Sequence, residues 1–156
     1  MAIHINKISI LLTTLISISI SQQTIANDPN VDKANVKNLV TPLMVSTIAK
    51  TEEFVKTNII TRLATVKENP NKDCLDTCKE VYEDAVDAMK KTLKSVDEGN
   101  YVEALVHVSA VGSFMGTCKD SIEEIHCDVN PEMTKFEDWS HGVISDATTK
   151  IASVAH

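Results

Sequence analysis

Two cysteines, Cys74 and Cys78, are the residues whose type and spacing most directly suggest chemistry in this chain. They lie four positions apart in the stretch NKDCLDTCKEVYEDAVDAMKKTL, and on a helix this spacing puts both sulfur atoms on one face, one turn apart. Side chains placed in this way are poorly oriented to bond to each other. They are well oriented toward a metal ion, a redox substrate or another helix.

The first 26 residues have the pattern of a secretory signal peptide. Lys7 precedes the apolar run ISILLTTLISISI, and small residues lead to an expected cleavage after Ala26. The apolar run is shorter than the ~20 residues that a membrane-spanning helix requires, which disfavours an anchor. We therefore predict a signal peptide over residues 1–26, a mature domain over residues 27–156, secretion, and no attachment to the membrane after cleavage.

The expected export limits the kinds of site that the cysteines can form, and the net charge limits the kinds of partner. In an exported protein an even number of cysteines normally forms disulfide bonds, and the chain has four cysteines but no C-x-x-C redox motif. A zinc site would favour tighter C-x-x-C pairs.

Cleavage would leave 14 basic and 22 acidic residues, a net charge of −8. An acidic domain suits a basic protein partner, whereas nucleic acid and anionic membranes require a basic patch.

Apolar residues recur every three or four positions in four segments of the mature chain, which predicts four amphipathic helices. The segments span residues 42–66, 75–96, 105–125 and 133–154. Thr41 as the cap and Pro42 as the first helical residue mark the expected start of the first helix, after a loose polar lead-in. Gly99 and Pro131 fall in the turns on either side of the third helix. Short connections between four such helices predict an all-α fold, an antiparallel four-helix up-and-down bundle.

The second and third helices form a predicted antiparallel hairpin that closes near Gly99, and this geometry bears on the cysteines. Facing residues in such a hairpin have position numbers with a nearly constant sum. When Cys78 pairs with Cys118 and the outer two cysteines pair with each other, the two sums differ by 5, but they differ by 13 in the crossed arrangement. A third arrangement, with both bridges local, would leave the hairpin unlocked. We therefore predict a bundle stapled by two nested disulfides, Cys78–Cys118 and Cys74–Cys127.

Acidic residues form a second pattern. Glu80, Asp84 and Asp87 lie at positions i, i+4 and i+7 of the predicted second helix, so their carboxylates share one face. Such a row is commonly a solvated face, and carboxylates on an exposed helix do not make an acid/base site without a pocket. The chain has no G-x-S-x-G, H-E-x-x-H or glycine-rich phosphate motif. We therefore expect no catalytic site, no metal and no cofactor.

The stretches CKEVYEDAVDAMKKTL and GNYVEALVHVSAVGSFMGTCKD carry a longer set of motifs. They contain C-x-x-x-Y-x-x-A, then a G-x-Y-x-x-A turn, and finally T-C-x-D. The residues concerned are Cys78, Tyr82, Ala85, Gly99, Tyr101, Ala104, Ser109, Ala110, Thr117, Cys118 and Asp120. This set resembles the plant invertase/pectin methylesterase inhibitor family, whose bridge between these two helices falls on Cys78 and Cys118. The resemblance covers residues 75–120 well and extends by helix order from Pro42 to the C terminus.

The chain departs from the family pattern in its other cysteines. Family members usually begin with a short helical hairpin that has its own cysteine pair, whereas this chain has no cysteine before Cys74. Cys74 and Cys127 do not belong to the usual pattern. Ile122 stands where the family usually has phenylalanine. These departures bear on the part of the family fold that precedes the bundle.

The resemblance implies a secreted, apoplastic inhibitor that binds a plant cell-wall carbohydrate enzyme stoichiometrically and covers its substrate cleft. Inhibitors of acid invertases often carry the tripeptide P-K-F in the turn where this chain has Tyr101, Val102 and Glu103. Its absence favours pectin methylesterase as the target, with cell-wall or vacuolar acid invertase as the alternative. A different class of function is a secreted helical bundle that serves as a carrier or structural protein and inhibits nothing.

The resemblance also implies a partner-binding surface. In this interpretation Glu80, Asp84 and Asp87 contact the enzyme, and Thr117 and Asp120, beside the bridged cysteine of the third helix, extend the surface. An acidic surface of this kind would make binding depend on pH. The alternative for Thr117 is a hydrogen bond back to its own helix.

Overall fold

The computed structural model describes residues 29–67, 69–128 and 130–156, and every regular element in this part of the chain is helical. The elements are α1 (Pro29–Phe54), a π-helical segment (Val55–Ile60) that continues α1, a short α-helical turn (Thr61–Leu63), α2 (Asn71–Asp97), α3 (Tyr101–Ile125) and α4 (Pro131–Ala152). The predicted signal peptide lies outside the described residues. No described helix is both long and apolar enough to cross a membrane.

Contacts between the helices show that neighbours along the chain run antiparallel. Lys37, near the start of α1, forms an ion pair with Asp97 at the end of α2, whereas Glu52, near the end of α1, pairs with Lys90. The disulfides between α2 and α3 and the aromatic contacts between α1 and α4, described below, follow the same opposed order. The predicted all-α four-helix bundle is confirmed.

The predicted start of the first helix is wrong. The helix begins at Pro29 rather than Pro42, and the polar lead-in is helical. Val36, Val40 and Met44 are buried and recur at every fourth position, so packing of this stripe against the bundle stabilises the helix through the proline. Pro42 lies on the exposed side of α1, where water can bind the carbonyl that the missing proline N–H leaves free.

A second difference lies at the end of the first helix, where six residues form a π-helix instead of the expected regular helix. In this π-helical segment Val55 and Ile59 are buried, and Phe54, directly before it, is buried as well. Val55 and Ile59 are four positions apart, a spacing that also puts two residues on one face of a regular α-helix. Periodicity alone therefore does not predict this segment.

The later helices bury nearly the stripes that their periodicity predicts. The predicted residues that are buried are Leu75, Cys78, Tyr82, Ala85, Met89, Val96, Val108, Val111, Met115, Cys118, Phe136, Ser140, Ala147, Ile151 and Val154. In α4, Ile144 is buried, whereas its neighbour Val143, which continues the apolar spacing of the predicted fourth helix, is only partly buried. The turn between α2 and α3 is also as predicted, because Gly99 tolerates the left-handed backbone there, with φ of +74°.

Four aromatic side chains from three helices form the aromatic cluster of the core. Phe54 stacks on Phe136 with ring centres 3.9 Å apart, and Tyr82 packs edge-on against both rings. Trp139 contacts Phe136 and is partly buried, and the Lys50 ammonium lies 3.6 Å from the centre of its ring. The cluster therefore joins α1, α2 and α4 through contacts that exceed simple burial in strength.

Candidate functional site

Two disulfides fix the rotation and height of α2 against α3. Cys78 is bonded to Cys118 with Cα atoms 4.6 Å apart, and Cys74 is bonded to Cys127 with Cα atoms 6.6 Å apart. This is the nested arrangement, and both alternative pairings are thereby excluded. Cys74, Cys78 and Cys118 are buried, whereas Cys127 follows α3 and is partly exposed.

Because the cysteines of α2 point inward, the residues on the opposite side of that helix point to solvent. Glu80, Asp84 and Asp87 lie there, and all three are exposed. We call these three residues the acidic stripe. None of the three has an ion-pair or hydrogen-bond partner among the described residues. The structure therefore presents them as three free carboxylates in a row on a rigid helix.

Other acidic residues of α2 are neutralised by lysines one turn away. Asp76 pairs with Lys72 at 2.7 Å, and Glu83 pairs with Lys79 at 2.8 Å. The side-chain hydrogen bond from each lysine raises its pKa. Apart from Asp73 in the first turn, the exposed carboxylates of α2 that have no ion-pair partner among the described residues are therefore those of the acidic stripe.

Thr117 and Asp120 lie on the exposed side of α3. The Thr117 hydroxyl donates a hydrogen bond to the Ser113 carbonyl at 3.0 Å, which is the bond expected of a threonine inside a helix. Within the described part of the chain, neither residue has a hydrogen bond or ion pair with the acidic stripe. The structure thus leaves the predicted role of these two residues in partner binding untested.

The exposed side of α3 carries a feature that sequence reasoning missed. Val102 and Val106 are 58% and 64% exposed, and Ser113 and Thr117 continue the same face toward the bridged cysteine. Periodicity assigns apolar residues to the core, so it gives no reason to expect valines on the outer face. The outer surface of the α2–α3 hairpin therefore combines a row of carboxylates on α2 with a row of uncharged side chains on α3.

A groove of about 430 Å³ lies between the π-helical segment and α2, and we call it the α1–α2 groove. Its lining residues are Glu52, Val55, Lys56, Ile60, Tyr82, Glu83, Val86, Asp87 and Lys90. The ion pair of Glu52 with Lys90, at 3.2 Å, connects its two walls. Asp87 belongs both to this groove and to the acidic stripe, so the two features form one continuous surface.

A second groove of about 470 Å³ lies between α3 and α4. Six of its fourteen lining residues carry a hydroxyl group, and most of these donate to carbonyls of their own helix, as Ser109 does to Leu105 and Thr148 does to Ile144. These hydroxyls therefore offer a ligand acceptor lone pairs rather than free donors. No charged row accompanies this α3–α4 groove.

One carboxylate in the wall of the α3–α4 groove has a perturbed environment. Glu137 is half-buried and accepts a hydrogen bond from the Tyr82 hydroxyl at 3.2 Å. Burial raises the pKa of Glu137, while the Tyr82 bond and the nearby Lys119 oppose that shift. Burial also raises the pKa of Tyr82, so its hydroxyl stays protonated and remains the donor.

The described residues contain no cluster of three or more His, Cys, Asp or Glu side chains that could hold a metal ion. What the surface does offer is a rigid hairpin with free carboxylates, exposed valines and an adjoining groove. Such an arrangement is suited to binding a protein rather than to transforming a substrate.

Comparison with known proteins agrees with this description. The family model described as plant invertase/pectin methylesterase inhibitor matches residues 16–155, which is nearly the whole chain. No curated protein matches the chain. The chain belongs to the plant invertase/pectin methylesterase inhibitor family.

Proposed function

We propose that this protein is a secreted inhibitor of pectin methylesterase that binds the enzyme stoichiometrically and covers its substrate cleft. The observation that carries the proposal is the match to the inhibitor family over nearly the whole chain. Inhibition needs no covalent step and no cofactor, because a rigid protein that fills the approach to a cleft excludes the substrate by occupying its place.

The acidic stripe is the proposed contact surface. Glu80, Asp84 and Asp87 are exposed and free of partners among the described residues, so their charge is available to a basic surface. Complementary charge accelerates encounter and fixes orientation, and a helix held by two disulfides loses little conformational freedom on binding. Thr117 and Asp120 extend the proposed contact onto α3.

The turn between α2 and α3 supports pectin methylesterase over acid invertase. Tyr101 is only 5% exposed, and its hydroxyl donates to the Lys33 carbonyl at 2.7 Å. The Glu103 carboxylate accepts a hydrogen bond from Asn100 in the cap of α3. Two of the three positions that correspond to the P-K-F tripeptide thus stabilise the fold. Because Tyr101 is buried, it is poorly placed to reach into an invertase active site.

Two other functions compete with this proposal. Acid invertase is the alternative target, because the family includes inhibitors of both enzymes. A non-inhibitory carrier is the second alternative, and the two open grooves of about 430 and 470 Å³ favour it. Secretion to the apoplast is part of the proposal and rests on the leader pattern of residues 1–26 and on full pairing of the cysteines.

The decisive experiment is a titration of the purified mature protein against a pectin methylesterase and an acid invertase at mildly acidic pH. We expect loss of esterase activity near one-to-one stoichiometry and an unaffected invertase. A parallel titration with reductant tests whether the disulfide-locked hairpin is required. Inhibition of invertase alone would transfer the proposal to that enzyme, and inhibition of neither would favour the carrier.

Charge reversal tests the contact surface. The triple variant E80K/D84K/D87K should raise the inhibition constant at least about tenfold, because each lysine would face a basic surface. The control is E132K/D138K/D146K on α4, which changes the net charge by the same amount on three exposed residues. Equal inhibition by both variants would show that the acidic stripe is only a solvated face.

A further inference from the structure

The α1–α2 groove has an apolar interior and an exposed apolar edge. Val55 and Val86 are buried residues in its lining, and the ring of Tyr82 contributes to the same wall. Ile60, the last residue of the π-helical segment, is 43% exposed and lines the groove. π-helical turns inside longer helices occur frequently at functional sites, because they alter which side chains face a neighbour.

The charges around the groove are unevenly satisfied. Glu52 and Lys90 neutralise each other across it, and Glu83 pairs with Lys79. Two lining residues have no ion-pair partner in the described part of the chain, namely Asp87 on α2 and Lys56 on the π-helical segment. The free negative charge therefore lies on the α2 side, directly continuous with the other two carboxylates of the acidic stripe.

We infer that the α1–α2 groove receives an apolar side chain of the target enzyme, flanked by basic residues that contact Asp87 and the rest of the acidic stripe. The inference rests on the proposed function and adds a second wall to its contact surface, from α1 and its π-helical segment. Apolar anchors that fill a pocket beside complementary charges commonly supply most of the binding energy at an interface.

Charge decides between a basic partner and a second copy of this chain. Two copies that met at this groove would bring two acidic stripes together at a net charge of −8 per mature chain, which is unfavourable. A small apolar ligand could fill the interior but would leave Asp87 unused. The basic, apolar segment of a protein uses both features.

The test uses two variants at exposed apolar positions. Ile60→Lys places a charge at the groove, whereas Leu39→Lys places one on α1 outside the groove lining, at a position that is 55% exposed against 43% for Ile60. We expect Ile60→Lys to raise the inhibition constant at least about tenfold and Leu39→Lys to change it less than about twofold. Thermal unfolding of both variants shows whether they fold, and Ile60→Ala provides a truncation that cannot introduce a charge defect.

Hydrogen exchange on the enzyme complex gives a readout that does not depend on mutation. Residues 52–60 should gain protection when the enzyme binds, and residues 34–45 should not. If the wild type inhibits but Ile60→Lys and Ile60→Ala inhibit equally well and residues 52–60 gain no protection, the groove inference is overturned and the proposed function stands. If the wild type inhibits neither enzyme, both are overturned. If residues 52–60 instead gain protection in the enzyme-free protein as its concentration rises, the occupant of the groove is a second copy of this chain, and the inference is overturned.

Discussion

The two ends of the bundle are held together by different kinds of interaction. One end, which we call the clamped end, carries both disulfides and the aromatic cluster. The other, the turn end, is closed by the short turn at Gly99, the hydrogen bond from Tyr101 to the Lys33 carbonyl and the exposed ion pair of Lys37 with Asp97. Both ends have a buried apolar core. Covalent bonds and stacked rings reinforce it at the clamped end, and single polar contacts reinforce it at the turn end.

The connections at each end account for this difference. At the turn end, residues 98–100 join α2 to α3 directly. At the clamped end, the connections 64–70 and 126–130 are longer. Asp128 in the second connection bonds to residues that flank the first, because its N–H donates to Asn71 at 3.0 Å and its carbonyl accepts from Arg62. Longer connections restrict the helices less, so the clamped end needs bridges to keep α2 in register. The proposed contact surface begins at this reinforced end.

Removal of the disulfides should produce the largest difference between the two ends. Replacing Cys74 and Cys127 with serine should lower the free energy of unfolding by about 3 kcal/mol, because the inner bridge still closes the main loop. Replacing Cys78 and Cys118 as well should cost a further ~4 kcal/mol, since this bridge closes a loop with a sequence separation of 40. Urea unfolding of the three proteins measures both steps.

The difference between these two losses in the free energy of unfolding tests how the bridges act. A model in which each bridge acts independently predicts that the first and second removals cost the same. Equal costs, or no cost for the outer bridge, would show that the clamped end is held by the aromatic cluster and the connections rather than by the nested loop geometry.

Some parts of the fold could be predicted from the sequence, and others could not. The hairpin and its disulfides follow from local rules, because the stripe of α2 is long and regular and Gly99 ends it clearly. The start of α1 does not, because Pro42 satisfies every rule for a first helical residue and yet lies inside a helix whose burial outweighs the missing hydrogen bond. The π-helical segment could not be predicted from the sequence either. Its buried residues, Val55 and Ile59, have a four-residue spacing that fits a regular α-helix as well.

The candidate site also has one part that the sequence predicts and one part that it does not. Spacing alone predicts that the acidic stripe shares one exposed face of α2. The α1–α2 groove needs two helices from distant parts of the chain to meet, and the contact of Tyr82 with Glu137 joins residues 55 positions apart. No local pattern in the sequence encodes either of them.

Removing the Tyr101 hydroxyl at the turn end should have a smaller effect on the free energy of unfolding. Tyr101→Phe keeps the buried ring and removes only the hydrogen bond to the Lys33 carbonyl, so we expect a loss of about 1 kcal/mol in the free energy of unfolding. Urea unfolding beside Tyr82→Phe, which removes the corresponding hydroxyl at the clamped end, tests whether the two ends respond alike. A loss above about 3 kcal/mol for Tyr101→Phe would mean that the turn end depends on this contact far more than one neutral hydrogen bond allows.

The smallest expected effect is a pH dependence at the clamped end. Burial raises the pKa of Glu137 above its ordinary value of 4.5, and Asp138 and Glu123 act in the same direction against Tyr82 and Lys119. Below pH 4.5 the carboxyl is protonated in both folded and unfolded chains, so its contribution to stability is fully present there. As the pH rises through the folded pKa, ionisation in the unfolded chain is favoured and that contribution is lost.

Glu137→Gln should therefore lose less stability than the wild type between pH 4.5 and pH 6.5, because glutamine keeps an acceptor for the Tyr82 hydroxyl and cannot ionise. Urea unfolding at both pH values measures the difference, and Glu132→Gln, an exposed neighbour on the same helix, is the matched control. Parallel pH profiles for the wild type and Glu137→Gln would mean that the half-buried carboxylate is well solvated. In that case the hydrogen bond to Tyr82 would hold the clamped end equally at every pH of the experiment.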